Sequence, residues 1–141
     1  MRYLGLDIGD RRIGVAVSDE MGIIATGIET ITYDHPKTAI ERIERLAEDI
    51  GVAGLVVGWP VESSGKVGRQ ARKVDTFLAR LDPQIDLPII RWDERMTSVM
   101  AERVLLQANV RRNRRRQVVD KVAATLILQS WLDAQSSKKH P

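Results

Sequence analysis

Three carboxylates stand where an acid is expensive, and their type points to one kind of chemistry. Asp7 belongs to an alternating segment, Tyr3–Ile8, in which Leu4, Leu6 and Ile8 share one face and Tyr3, Gly5 and Asp7 the other. The first strand of an α/β sheet usually becomes central, so an acid there needs a reason; its ordinary alternative is to cap the turn at Gly9-Asp10. Glu94 follows the short run Pro88–Trp92 and shares a face with Ile90 and Trp92, its ordinary alternative being a surface pair with Arg95. Asp120 is the most informative. With Ala123, Ala124, Ile127 and Trp131 it recurs at i, i+3, i+4, i+7 and i+11, which puts the acid on the apolar stripe of a helix. Pairing with a helix dipole, worth ~0.5 kcal/mol, explains an acid in a first turn but not one on a buried stripe.

Small residues at Gly5, Ala123 and Ala124 would let that helix approach the first strand closely and bring Asp7 and Asp120 together. If all three acids meet, mutual repulsion demands a counter-charge, and a hard divalent cation supplies it. The chain has no cysteine and only two histidines, His35 and the penultimate His140. That composition excludes a disulfide scaffold, thiolate metal sites and a cysteine nucleophile, and disfavours a His-rich zinc site or a Ser-His-Asp triad. All-oxygen ligands favour Mg²⁺ or Mn²⁺.

The net charge of +3 is unevenly spread: Arg111, Arg112, Arg114, Arg115, Arg116 and Lys121, against Asp120 alone, give residues 109–121 a charge of +5 and leave −2 for the rest. Such a cluster reads either as a phosphate grip or as a solvated segment that maintains solubility. Beside a carboxylate–metal site, the first reading suggests phosphodiester hydrolysis.

The elements that must position these groups are legible in the periodicity. Strands are expected over Tyr3–Ile8, Ile13–Val17 and Ile23–Thr32, joined by links short enough for antiparallel hairpins. Ile40, Ile43, Leu46, Ala47 and Ile50 fall at helical spacing and Gly51 is a helix stop. Leu55–Val57 reads as a strand buried on both faces, Ala71–Leu81 as a helix halted before Pro83, and Pro88–Trp92 as a strand. Val99–Ala108 and Val118–Leu132 complete two more helices. The order β-β-β-α-β-α-β-α-α implies an α/β fold: a mixed five-stranded sheet, three antiparallel strands followed by βαβα crossovers, flanked by helices. With 141 residues, one domain over residues 1–135 is expected, followed by a flexible tail over 136–141. No apolar run approaches the ~20 residues that span a bilayer, and the early acid Asp7 argues against a signal peptide, so a cytoplasmic location and no membrane partner are expected.

Four blocks of the sequence resemble one family. Gly5-Leu6-Asp7-Ile8-Gly9 with Arg12-Ile13-Gly14-Val15-Ala16-Val17-Ser18-Asp19 resembles the opening of the YqgF/RuvX family. Val57-Gly58-Trp59-Pro60 with Gly65 and Gly68-Arg69-Gln70-Ala71 resembles its second block, Asp93-Glu94-Arg95-Met96-Thr97-Ser98 its third, and Val119-Asp120-Lys121-Val122-Ala123-Ala124 with Leu126-Ile127-Leu128-Gln129 its fourth. The blocks stand in the family's order and span nearly the whole chain. The resemblance implies an RNase H-like fold, nuclease activity at the 5′ end of pre-16S rRNA, and kinship with Holliday junction resolvases. It also implies that Asp7, Glu94 and Asp120 are the metal-binding acids. Asp10 stands where the family often has Thr or Ser, and Trp59 replaces a common Leu, as a packing residue or a base-stacking platform.

The expected activity is thus a Mg²⁺- or Mn²⁺-dependent nuclease on RNA, with Asp7, Glu94 and Asp120 holding metal, Lys121 and the arginines gripping phosphates, and the Gly58–Gly68 loop as a flap. Two alternatives stay open: a resolvase of branched DNA, which needs paired active sites, and a non-catalytic nucleic-acid binder that uses the arginines alone. No dimer seam is visible, so a monomer or weak homodimer is expected. The Asp-x-Gly turn also opens actin-like ATPases, but that fold needs a second such lobe, for which 141 residues leave no room.

Overall fold

A computed structural model describes residues 1–62, 64–96 and 112–139, the side chains of 112–117 and 139 excepted. Strands β1 (Tyr3–Ile8), β2 (Arg12–Ser18) and β3 (Ala25–Thr32) are followed by α1 (Pro36–Ile50), β4 (Gly54–Trp59), α2 (Arg69–Leu81), β5 (Ile89–Asp93) and α3 (Arg112–Lys139). They form one five-stranded sheet in the order β3-β2-β1-β4-β5. β1 pairs antiparallel with β2 and β2 with β3, while β1–β4 and β4–β5 are parallel. The mixed sheet read from the sequence is the one observed.

The pleat sorts side chains onto two faces. Leu4, Leu6, Ile13, Val15, Leu55 and Val57 pack with α1 and α2, whose buried stripes are Ile40-Ile43-Leu46-Ala47 and Ala71-Val74-Phe77-Leu78-Leu81. Ala16 and Val56 pack on the opposite face with Ala123, Ala124, Ile127, Leu128 and Trp131 of α3. Coverage on both faces is why β4 reads as a continuous apolar run. α1 ends at Gly51, whose φ of 76° is left-handed and lets its N–H reach the Ala47 carbonyl at 2.9 Å.

Three expectations change. β3 begins at Ala25, because the Asp19 carboxylate accepts the N–H groups of Ile23 (2.7 Å) and Ile24 (3.0 Å) and holds them in a turn, with both side chains exposed. Those two bonds also keep the Asp19 carboxyl below the usual range. α3 is longer than the apolar stripe at both ends. It is helical from Arg112 and continues to Lys139, so Ser136–Lys139, expected in the tail, are helical too. Asp120 therefore lies two turns inside the helix, and the helix-dipole explanation for it falls away. The helix expected over Val99–Ala108 lies outside the described residues.

Candidate active site

α3 lies almost directly on the backbone of the sheet because small residues underlie it. Gly5, Ala16 and Gly27 form one register row across β1, β2 and β3. A Cβ on Gly5 would stand 2.6 Å from Leu128 Cβ and 3.0 Å from the Ala124 carbonyl oxygen. The next row on that face is Asp7, Gly14 and Thr30. Here a Cβ on Gly14 would fall on the Asp120 carbonyl, so Asp120 stands over the strand partner of Asp7. Asp7 shares the face of Gly5 by alternation and so points to the α3 side.

Glu94 arrives from the other flank. β4 runs beside β1 with Leu6 against Val57, so the next residues along are Asp7 and Gly58. A Cβ on Gly58 would lie 2.8 Å from Glu94 Oε1 and against the Ile127 side chain. Glu94 opens a 3₁₀ turn after β5 and is 6% exposed, the one charged residue buried among those described. The adjacent Arg95 forks onto Asp93 at 2.6–3.1 Å, and that pairing keeps the Asp93 carboxyl below its ordinary value. Three acids from distant parts of the chain thus stand on one face of the sheet: Asp7 at the carboxyl end of β1, Asp120 over β2 at Gly14, and Glu94 against β4 at Gly58.

Two groups brace this end of the sheet. Arg12 begins β2, and its Nε donates to Asp120 Oδ2 at 2.9 Å. Tyr33 donates its hydroxyl to the Gly9 carbonyl at 2.6 Å and fixes the β1–β2 turn; burial, with Asp10 nearby, pushes its phenol pKa up. A cleft of about 330 Å³ opens beside them, lined by Gly9, Asp10, Arg11, Arg12 and Asp120. Asp10 is mostly exposed and pairs with Lys73 Nζ at 3.1 Å on the far side of the turn.

The family model described as RuvX, Holliday junction resolvase, matches residues 1–134. The chain belongs to this family. Curated relatives of the RuvX-family chain include proteins from Geobacillus kaustophilus (strain HTA426), 44% identical over 96% of this chain and 99% of its own length, and Desulforudis audaxviator (strain MP104C), 45% identical over 99% of both. A third, from Pelotomaculum thermopropionicum, is 48% identical over 96% of this chain and 88% of its own. All three carry the name "Putative pre-16S rRNA nuclease". Among solved structures, Thermus thermophilus RuvC in complex with a Holliday junction superposes with a TM-score of 0.60 at 11% identity, covering 97% of this chain and 96% of that one. The large terminase nuclease of phage G20c gives 0.53 at 19% identity, over 92% and 80%. These likenesses establish the RNase H-like fold of the RuvC resolvases.

In the RuvX-family chain, the donor types around Asp7 fit a hard cation: carboxylates alone, one of them buried, beside a polar cleft. As they stand, the side chains are not drawn into a cage, and no group of three Asp, Glu or His residues among those described is placed to share an ion. Asp120 is instead engaged by Arg12. Of the expected phosphate grip, Lys121 is described: it follows Asp120 and its Cβ would stand 3.2 Å from a Cβ on Gly27. Arg111 lies outside the described residues, as do the side chains of Arg112, Arg114, Arg115 and Arg116, whose backbone forms the first turns of α3. Trp59 packs partly buried against the α1–α2 core, which is the packing alternative, and its Nε1 has no hydrogen-bond partner among the described residues. Arg12 is the residue that sequence reasoning missed, although it lies on the Asp7 face by the same alternation that exposed Asp7.

No helix among the described residues is long and apolar enough to cross a membrane.

Proposed function

We propose that this chain is a Mg²⁺- or Mn²⁺-dependent nuclease that hydrolyses phosphodiester bonds during maturation of the 5′ end of pre-16S rRNA, with Asp7, Glu94 and Asp120 as its metal-holding carboxylates. The observation that carries this reading is the stacking of the Asp120 backbone on Gly14, the strand partner of Asp7, with Glu94 over the neighbouring Gly58. A single central strand is flanked on both sides by acids from elsewhere in the chain. Relatives at 44–48% identity over almost the entire chain, named for pre-16S rRNA, support RNA as the substrate.

Each residue has a task that follows from its position. Asp7, on a central strand fixed by neighbours on both sides, is the rigid member of the set. Glu94, shielded from water, keeps its oxygen against β4. Asp120 rides on α3 and is the member that must leave Arg12 for the three oxygens to draw together. A bound Mg²⁺ or Mn²⁺ supplies Lewis acidity and offsets the charge that builds on the phosphate. Lys121 and the arginines at 111–116 lie next to Asp120 in sequence and hold flanking phosphates. Gly65, in the loop between β4 and α2, lies against Arg95, whose Nη1 would be 3.1 Å from a Cβ there, and that loop serves as a flap.

The family description and the RuvC fold favour a second substrate, branched DNA. Purified protein is given a precursor rRNA leader and a four-way DNA junction side by side, with Mn²⁺ and with EDTA. Metal-dependent cleavage of the leader, lost in Asp7→Asn with no fall in melting temperature, is the expected result. Undiminished cleavage in Asp7→Asn or in EDTA rejects the mechanism. Cleavage of the junction alone reassigns the substrate, and a homodimer under those conditions is then expected.

A further inference from the structure

We propose that Arg12 is the built-in counter-ion of the acidic site, neutralising Asp120 while no metal is held and transferring its guanidinium to a substrate phosphate once a metal takes that carboxylate. The inference rests on the assignment of Asp120 as a metal-holding acid made above.

Four observations converge on Arg12. Its Nε donates to Asp120 Oδ2 at 2.9 Å, a contact that links residues 108 positions apart and ties β2 to α3. It shares the α3-facing side of β2 with Gly14, two residues on, and Gly14 pairs with Asp7. Arg12 is therefore the diagonal neighbour of Asp7, a separation of roughly 7–8 Å between strands that a long side chain spans. It also lines the 330 Å³ cleft together with Arg11, Asp10 and Asp120. Its side chain is one third exposed, against 17% for that of Asp120, so it reaches from a sheltered carboxylate out to solvent.

The physical argument is competition for one set of lone pairs. Carboxylates gathered on one face repel one another, and a permanently charged group beside them offsets that repulsion in the metal-free protein. A guanidinium carries five N–H donors in a planar fork, more than one carboxylate oxygen engages, and the same fork fits two phosphate oxygens. When Asp120 turns its oxygen to a divalent cation, the Arg12 bond weakens and the guanidinium is left at the rim of the cleft. That is where the backbone of a nucleic acid must lie if its scissile bond is to meet the acids. Arg12 would then oppose metal binding and favour substrate binding, a combination that no purely structural ion pair has.

The test uses the full chain and Mn²⁺ alone, titrated by the paramagnetic resonance of the free ion. Wild type, Arg12→Ala, Arg12→Lys, Asp120→Asn and the Arg12→Ala/Asp120→Asn double variant are compared, each checked for cooperative melting. Arg12→Ala is expected to bind Mn²⁺ about 3–10-fold more tightly than wild type, with Arg12→Lys between them. In the Asp120→Asn background, removing Arg12 is expected to change Mn²⁺ affinity less than twofold. With the precursor leader, Arg12→Ala is expected to raise KM about tenfold, lower kcat less, and reduce the salt slope of binding by about 1. If Arg12→Ala does not melt cooperatively, Arg12→Gln replaces it in both arms. Absence of Mn²⁺ binding in the wild type overturns the metal assignment itself. Normal Mn²⁺ binding in the wild type that is unchanged or weakened in Arg12→Ala overturns the role of Arg12 and leaves the assignment standing.

Discussion

Replacing Gly14 with alanine adds one methyl group at the place where α3 has no room for it. The new Cβ would coincide with the Asp120 carbonyl, a backbone atom that cannot rotate away as a side chain would. Reaching even 3.0 Å, the closest that real Cβ atoms approach a neighbour, requires the helix to retreat by about 1 Å. α3 also bears on Gly5 and Gly27, so the retreat opens gaps above the neighbouring row. Overpacking of this kind costs about 1–3 kcal/mol. For a chain of this length that is a fall in melting temperature of roughly 3–10 °C. The same displacement carries Asp120 away from Asp7, and a 1 Å misplacement of a reacting group can lower the rate by ~10²-fold. Calorimetry and cleavage of the precursor leader measure the two effects. Gly54→Ala is the control, since at the opposite end of β4 its new Cβ would stand no nearer than 3.1 Å to any neighbour. A Gly14→Ala protein with wild-type melting temperature and rate would refute the claim that α3 rests on β2 at this point.

Ser18→Ala removes the hydroxyl that accepts the Tyr3 N–H at 2.8 Å in a site only 1% exposed. Leaving that donor without its acceptor lowers stability by about 1–3 kcal/mol, read as a fall in the urea midpoint at unchanged slope. Glu29 is bound by both Nε and Nη2 of Arg42, at 2.8 and 2.6 Å, and that hydrogen bonding holds its carboxyl below the ordinary 4.5. A depressed folded-state pKa contributes stability above the unfolded value and loses it as pH falls through the folded one. Glu29→Gln is therefore expected to melt below wild type at pH 7 and to converge with it towards pH 3; an equal gap at both pH values refutes the assignment.

The periodic parts of this fold were readable because burial writes them into the sequence. The alternation of Leu4, Leu6 and Ile8 and the stripes of α1 and α2 correspond to faces that pack. Boundaries set by polar groups were not readable. Ile23 and Ile24 look like strand residues, yet a single Asp19 oxygen captures both their amides. α3 was traced only where it touches the sheet, because its first turns carry arginines and no apolar stripe. The three acids stood out for a different reason: a charged residue on a packed face is a departure from pattern. The contact of Arg12 with Asp120 was not legible, since Arg12 at the start of a strand has the look of any surface arginine. Its role depends on α3, more than a hundred residues later.

That separation in sequence orders the birth of the site. The antiparallel hairpin carrying Asp7 and Arg12 is among the first segments made, and its contacts are local. Asp120 belongs to the last helix, and until α3 docks, the glycines of β1, β2 and β3 lie bare and the hairpin holds an incomplete set of charges. On the proposed mechanism, cutting power would arise only in the closing stage of folding, so a copy lacking α3 is expected to leave the precursor leader uncut, and catalysis would double as a readout that the chain has reached its native form.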